Sequence, residues 1–354
     1  QFGDGVNWDK LHDTILALLV SPVIGFFGAA LLLVLLRFII RNPTLFQEPE
    51  KDKPPVWWVR GLLILTCTGV SFAHGSNDGQ KGMGLILLIL IGVVPGLYAL
   101  NLALPQADVQ AVAATSQTAG ALIDKLAKNQ TLPLKQASDE LNQFLKSKGT
   151  VSANTYAALA TDNRAIEAAL KGKPDLNAVP STARGQLRSW IYQVSATIGK
   201  LAKKKALGDN PADATALTDY AKKLDGTTKF IPTWVKFAVA IALGFGTMIG
   251  WKRIVVTVGE RIGKSHLTYG QGMCAETVAF LTIQAADRFG LPVSTTHILS
   301  SGVAGTMWAN HSGLQMQTLR NILLAWVLTL PVCVFLGSMF FAFGLRVVTA
   351  LGGH

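Results

Sequence analysis

The sequence predicts an all-α polytopic membrane protein carrying a helical insert outside the bilayer, and three observations predict it. Half of the 354 residues are hydrophobic and only 15% are charged, with a mean hydropathy of +0.36. That is too apolar for an ordinary soluble chain. The apolar residues fall in four regions, each long enough for a bilayer crossing of roughly 20 residues. Between the second and third, residues 104–230 turn rich in Ala, Lys, Asp and Gln, with apolar positions at helical spacing.

Taken in order, residues 14–40 form the first span, ending in Arg37 and Arg41, a basic end expected to face the cytoplasm. A polar linker follows, with Lys51, Lys53 and "KPPVWW", where Trp57 and Trp58 suit an interfacial aromatic belt. The second apolar region runs from 59 to 103. In the insert, Leu122 and Leu126, then Leu187, Ile191, Val194, Ile198 and Leu201, recur at amphipathic helix spacing. Membrane composition returns at 231–251 and 266–346. The divisions expected are therefore 1–41, 42–103, 104–230 and 231–354. Basic residues at 37–60 and 252–264 both read as cytoplasmic, which needs an even number of crossings between them. One long crossing by 59–103 and a return by 231–250 would put the insert in the periplasm; a hairpin at 59–103 would put it in the cytoplasm.

Several classes are excluded. Cys67, Cys274 and Cys333 lie in apolar runs without CxxC or Cys/His spacing, so neither a disulfide framework nor a zinc site is expected, and they read as plain core residues. The net charge of +11 comes without a basic stripe interleaved with aromatics, so no nucleic acid is expected as partner. "KKK" at 203–205 reads as a solvated helix face.

Two polar motifs interrupt the apolar regions. In "SFAHGSNDGQKGMGLILLIL", residues 71–90, the glycines at 75, 79, 82 and 84 are expected to break the helix, which hydrocarbon tolerates only beside a cavity or ion site. Asp78 offers a carboxylate to a cation or proton, Asn77 a neutral oxygen, and Lys81 a compensating charge; His74 precedes them by a turn. In "LPVSTTHILSSGVAGTM", residues 291–307, Pro292 reads as a helix-start signal. Ser294, Thr295 and Thr296 place hydroxyls beside unused amides, the ingredients of an anion site, with His297 able to donate or carry a proton. "SSGVAG" supplies small residues for close helix packing, and Gly246 with Gly250 gives a GxxxG spacing. Glu276 could join ion coupling, while Glu276 and Asp287 read equally well as interfacial anchors or helix-end residues.

An internal likeness extends the reading. Aligned without gaps, residues 21–37 and 330–346 match at Pro22/Pro331, Val23/Val332, Phe26/Phe335, Gly28/Gly337, Leu36/Leu345 and Arg37/Arg346. Both read as the closing helix of a repeated unit, an arrangement common in secondary transporters. On that reading the chain, which starts at Gln1, is a fragment lacking most of a first repeat.

"HGSNDGQKGMG", "GTMIGW" and "PVSTTHILSSGVAGTM" together resemble the inorganic phosphate transporter (PiT) family, bacterial low-affinity type, over both membrane portions. The resemblance implies an inverted-repeat transporter with broken helices and a re-entrant helical hairpin, of which this chain holds the second pair of motifs. It implies that Ser294, Thr295 and Thr296, with Asn77, bind phosphate. Asn77 with Asp78 would hold the coupling ion, with Lys81, His74, His297 and Glu276 at hand. Many members have Asn where Lys81 stands; an ammonium there repels Na⁺ and can substitute for its charge. H⁺ coupling is therefore expected, with phosphate entering as a neutral complex with a divalent cation such as Mg²⁺, and no tightly bound cofactor. The expected setting is multi-pass in a bacterial inner membrane, and the expected partners are phosphate, lipid, the missing repeat and a second copy in a homodimer. A sulfate or other oxyanion permease of the same fold is the alternative. A membrane hydrolase is remote, because no third group orients His297 as a base for Ser294 or Thr295.

Overall fold

The computed structural model describes residues 8–40, 42–49, 54–146 and 150–350. Arg41, Lys51 and Lys53, used above to orient the chain, lie outside them. The helices are α1 (Trp8–Ile39), α2 (Trp57–Val93), α3 (Pro95–Tyr98), α4 (Gln106–Leu126), α5 (Leu134–Lys146), α6 (Ala153–Leu170), α7 (Ser181–Lys203), α8 (Pro211–Thr228), α9 (Thr233–Glu260), α10 (Tyr269–Phe289), α11 (Thr295–Ala309) and α12 (Met316–Ala350). Among the described residues the only β-pairing is one isolated bridge, Gly263 with Leu314. The chain divides into two compact units, residues 1–79 with 240–354, and residues 80–239.

In the first unit, α1, α10 and α11 pack together. Close approach is possible because the contact surfaces are built from small residues, the only kind that lets helix backbones come near in the absence of a hydrophobic drive from lipid. A Cβ added at Gly25 would lie 2.6 Å from the Ile298 carbonyl oxygen, and one at Gly305 would lie 2.7 Å from the Phe26 carbonyl carbon. Gly302 faces Ala29 and Ala275. Thr268 caps α10 in a reciprocal box with Gln271, whose amide also reaches the Thr306 carbonyl (3.3 Å) and ties the start of α10 to the end of α11.

Among the described residues, three helices are long and apolar enough to cross a membrane: Leu11–Ile39, Thr233–Lys252 and Met316–Phe340. Their outward residues, such as Leu19, Phe27, Phe245, Ile249 and Phe335, are exposed. Such belts would be untenable in water and are what lipid accepts. Two of the cysteines correct the expectation of core residues: Cys67 and Cys333 are exposed and only Cys274 is buried. In an apolar run, facing lipid and facing core leave the same sequence signature. The GxxxG pair is corrected as well, since a Cβ at Gly246 or Gly250 would meet open space.

The expected break at residues 75–84 does not occur. α2 is one helix of 37 residues, about 55 Å of rise against a hydrocarbon core of about 30 Å. Each interior glycine costs only about 1 kcal/mol relative to Ala, which the long apolar runs on either side absorb. His74 pairs with Asp78 and the Asn77 NH₂ reaches Asp287 without unwinding the backbone.

The second unit holds a bundle of α4 to α8 around a core that includes Leu159, Ile166, Leu187, Ile191, Val194, Ile198, Leu201 and Tyr220. The chain at 94–103, expected to end a membrane region, belongs to this unit, with Ala99 and Leu100 fully buried in its core. Arg188 donates to the carbonyls of Ala99 and Thr228 (2.8 Å each), and the Asn101 amide donates to Thr227 (2.8 Å), so the entry and exit of the bundle are clamped side by side.

Candidate functional site

α2 and α10 run side by side in the same direction, joined by two side-chain rungs of equal sequence offset. The Thr66 hydroxyl donates to Glu276 (2.6 Å), and eleven residues further along each helix the Asn77 amide donates to Asp287. Eleven residues are about three turns, roughly 16 Å of rise, so both rungs fall on one face of each helix. The equal spacing separates two residues that the sequence reading grouped: Glu276 belongs to the Thr66 rung, well along α10 from Asn77 and Asp78.

At the other rung the two motifs come together. Ala73 of α2 packs with Ala279, Ile283 and Ala286 of α10, Val293 of the connector and Ile298 of α11. α10 ends where Gly290 turns left-handed (φ 66°), a conformation that costs glycine little. Four residues later Ser294 caps α11, which starts at Thr295 rather than at Pro292. The cap is the reason: the Ser294 hydroxyl accepts the His297 amide (3.4 Å), satisfying one donor of the first turn. The helix itself offers no carbonyl to the amides of Thr295 and Thr296, which remain directed at whatever lies before the helix start. Thr295 is buried and Thr296 is exposed.

On α2, His74 Nε2 lies 2.8 Å from Asp78 Oδ2, one turn apart in mid-helix, both partly exposed. Lys81 follows a turn later on the same helix. Asn77 is 4% exposed; its NH₂ is engaged by Asp287, while its Oδ1 has no hydrogen-bond partner among the described residues. An amide oxygen held in that way has the chemistry of the neutral half of a cation site or of an acceptor for a protonated ligand. The His297 ring is stacked on Trp326 of α12, with centroids 4.1 Å apart and planes 26° apart, which limits its rotation.

Thr66 and Trp326 escaped the sequence reading, and Asp287 entered it only as a helix-end residue. The offset shared by the two rungs is a property of helix packing, and no spacing in the sequence announces it. Thr66→Val is expected to leave Glu276 short of a donor and cost about 1–3 kcal/mol, read as a lower thermal midpoint in detergent.

Long apolar helices, a helical hairpin of α10 and α11, and a polar cluster where that hairpin meets α2 define a helical membrane protein. The chain belongs to the phosphate transporter family, whose profile matches residues 1–337. It is 37% identical over 349 residues to the low-affinity inorganic phosphate transporter of Buchnera aphidicola subsp. Acyrthosiphon pisum, covering 96% of this chain and 69% of that protein. It is 35% identical over 363 residues to PitB of Escherichia coli K12 (98% and 71%) and 37% identical over 354 residues to PitA of the same strain (95% and 69%). These relatives are transporters, not enzymes, which removes the hydrolase alternative. No solved structure matches the chain.

Proposed function

We propose that this chain carries inorganic phosphate by cation symport, with the site where the α2 motif meets the start of α11. The phosphate oxygens would accept from the Thr295 and Thr296 amides and from the hydroxyls of Ser294, Thr295 and Thr296, a setting in which the helix dipole also favours an anion. Asn77 Oδ1 and the Asp78 carboxylate would hold the coupling ion, and Asp287 would keep the Asn77 amide turned so that its oxygen faces that ion. Two observations support the reading: the family, and the Asn77–Asp287 bond that leaves a buried amide oxygen without a partner near the helix start. A sulfate permease of the same fold is the alternative reading, and because it would use the same donors only competition uptake separates the two.

Proton coupling, with phosphate moving as a complex with a divalent cation such as Mg²⁺, is the finer reading. Lys81 supports it, an ammonium one turn from Asp78 being a poor neighbour for Na⁺. In proteoliposomes, an inward proton gradient without Na⁺ is expected to drive labelled phosphate uptake, and excess sulfate is expected to leave that uptake unchanged. Uptake driven by a Na⁺ gradient with no pH difference would refute the coupling. Competition by sulfate would refute the substrate.

A further inference from the structure

Asp162 stands in the middle of α6 with 0% exposure, and neither of its carboxylate oxygens has a hydrogen-bond partner among the described residues. It shares a stripe of the helix with Thr155, Leu159 and Ile166, each also 0% exposed. Asn163, the next residue, is just as buried yet fully engaged: the Tyr220 hydroxyl donates to its oxygen (2.6 Å), and its amide donates to the Ser116 carbonyl (3.2 Å). The bundle thus satisfies the polar group beside Asp162 and leaves Asp162 alone. On α7, which packs against α6, Thr197 Oγ1 and Trp190 Nε1 are likewise buried without partners.

The charged groups on the helices packed against α6 have other partners or are exposed. On α5, Glu140 accepts from Ser152 and Thr155 (3.3 and 3.4 Å) at the start of α6. On α4, Asp124 pairs with Arg164 (3.0 Å) and Lys125 with Asp213 (3.9 Å). On α7, Lys200 donates to the carbonyls of Phe144 and Leu145, Arg184 to those of Gly96, Asn177 and Val179, and Arg188 to those of Ala99 and Thr228. Lys135, Asp139, Lys146 and Lys203 are exposed. A carboxylate with no counter-charge and no donor is far costlier to bury than the neutral acid.

We propose that the bundle is a proton-responsive element, packed around Asp162 as a neutral acid and loosened around α6 when that proton leaves. Burial pushes the Asp162 carboxyl up to about 7 from an ordinary 3.8. Its contribution to the folded bundle is therefore complete below about pH 4, where the unfolded chain is protonated too. It declines as pH rises and is gone above about pH 7. The inference goes beyond the transport reading and does not rest on it.

The test is hydrogen exchange of the full chain in lipid nanodiscs between pH 5.5 and 8.5, corrected for intrinsic exchange and read by mass spectrometry on α4 to α8. Wild-type protection in α6 and α7 is expected to fall at least about tenfold over this range, a factor of ten per unit of pH being the limiting slope for one proton. Asp162→Asn is expected to show no fall. A wild-type profile flat with pH, or an Asp162→Asn profile that falls like wild type, overturns the proposal. Should Asp162→Asn fail to fold, the wild type alone decides: protection that falls between pH 5.5 and about 7 and then levels off supports the proposal, and protection that is flat or keeps falling as steeply to pH 8.5 overturns it.

Discussion

Asp287→Ala is expected to lower the initial rate of phosphate uptake about 10- to 100-fold, the range seen when a residue orienting a ligand side chain is removed. The carboxylate accepts the Asn77 NH₂, and this bond fixes which end of the amide faces the proposed site. Without it, Asn77 can flip and present a donor where an oxygen is needed. Asn77→Ala should lose a similar factor, and the double variant little more than either alone, because the two residues act as one unit. Uptake by vesicles from cells without other phosphate systems, normalised to transporter amount, measures this. Wild-type rates in Asp287→Ala would remove the α2–α10 rung from the mechanism.

Gly305→Leu is expected to disrupt α1–α11 packing more than any other single change at a helix contact described above. The first carbon of any side chain already collides with the Phe26 backbone, which cannot swing aside as a flexible side chain could. Overpacking typically costs about 1–3 kcal/mol and more where backbone must move, so the midpoint of thermal unfolding in detergent should drop by several degrees, or the protein should fail to accumulate. Gly246→Ala is the control. It faces open space, and the gain in helix propensity, up to about 1 kcal/mol, should leave stability unchanged or raised. Equal destabilisation by both substitutions would show that close approach at Gly305 is not what holds α1 to α11.

Particular residues show where sequence reading succeeds and where it stops. The insert's stripe from Leu187 to Leu201 was visible because periodicity reports one face turned to one core, and all five positions are buried. The cap at Ser294 is half legible: the hydroxyl run marks a helix start, but Ser294, not Pro292, supplies the signal. The glycines at 75–84 misled because glycine lowers helix propensity without forbidding a helix, and the cost is small beside the apolar runs flanking it. Cys67 and Cys333 misled because composition cannot tell an apolar exterior from an apolar interior.

The sequence by itself determined a helical membrane protein of the phosphate transporter family with an inserted bundle, since hydropathy, helical period and short motifs are local and survive without coordinates. Only the tertiary structure decided that Asn77 turns to Asp287 while Glu276 turns to Thr66, that His297 lies on Trp326, and that Asp162 is buried alone. Those facts depend on which faces of distant helices meet, settled in the first unit by close approach at small residues such as Gly25 and Gly305 and in the second by the apolar core of α4 to α8.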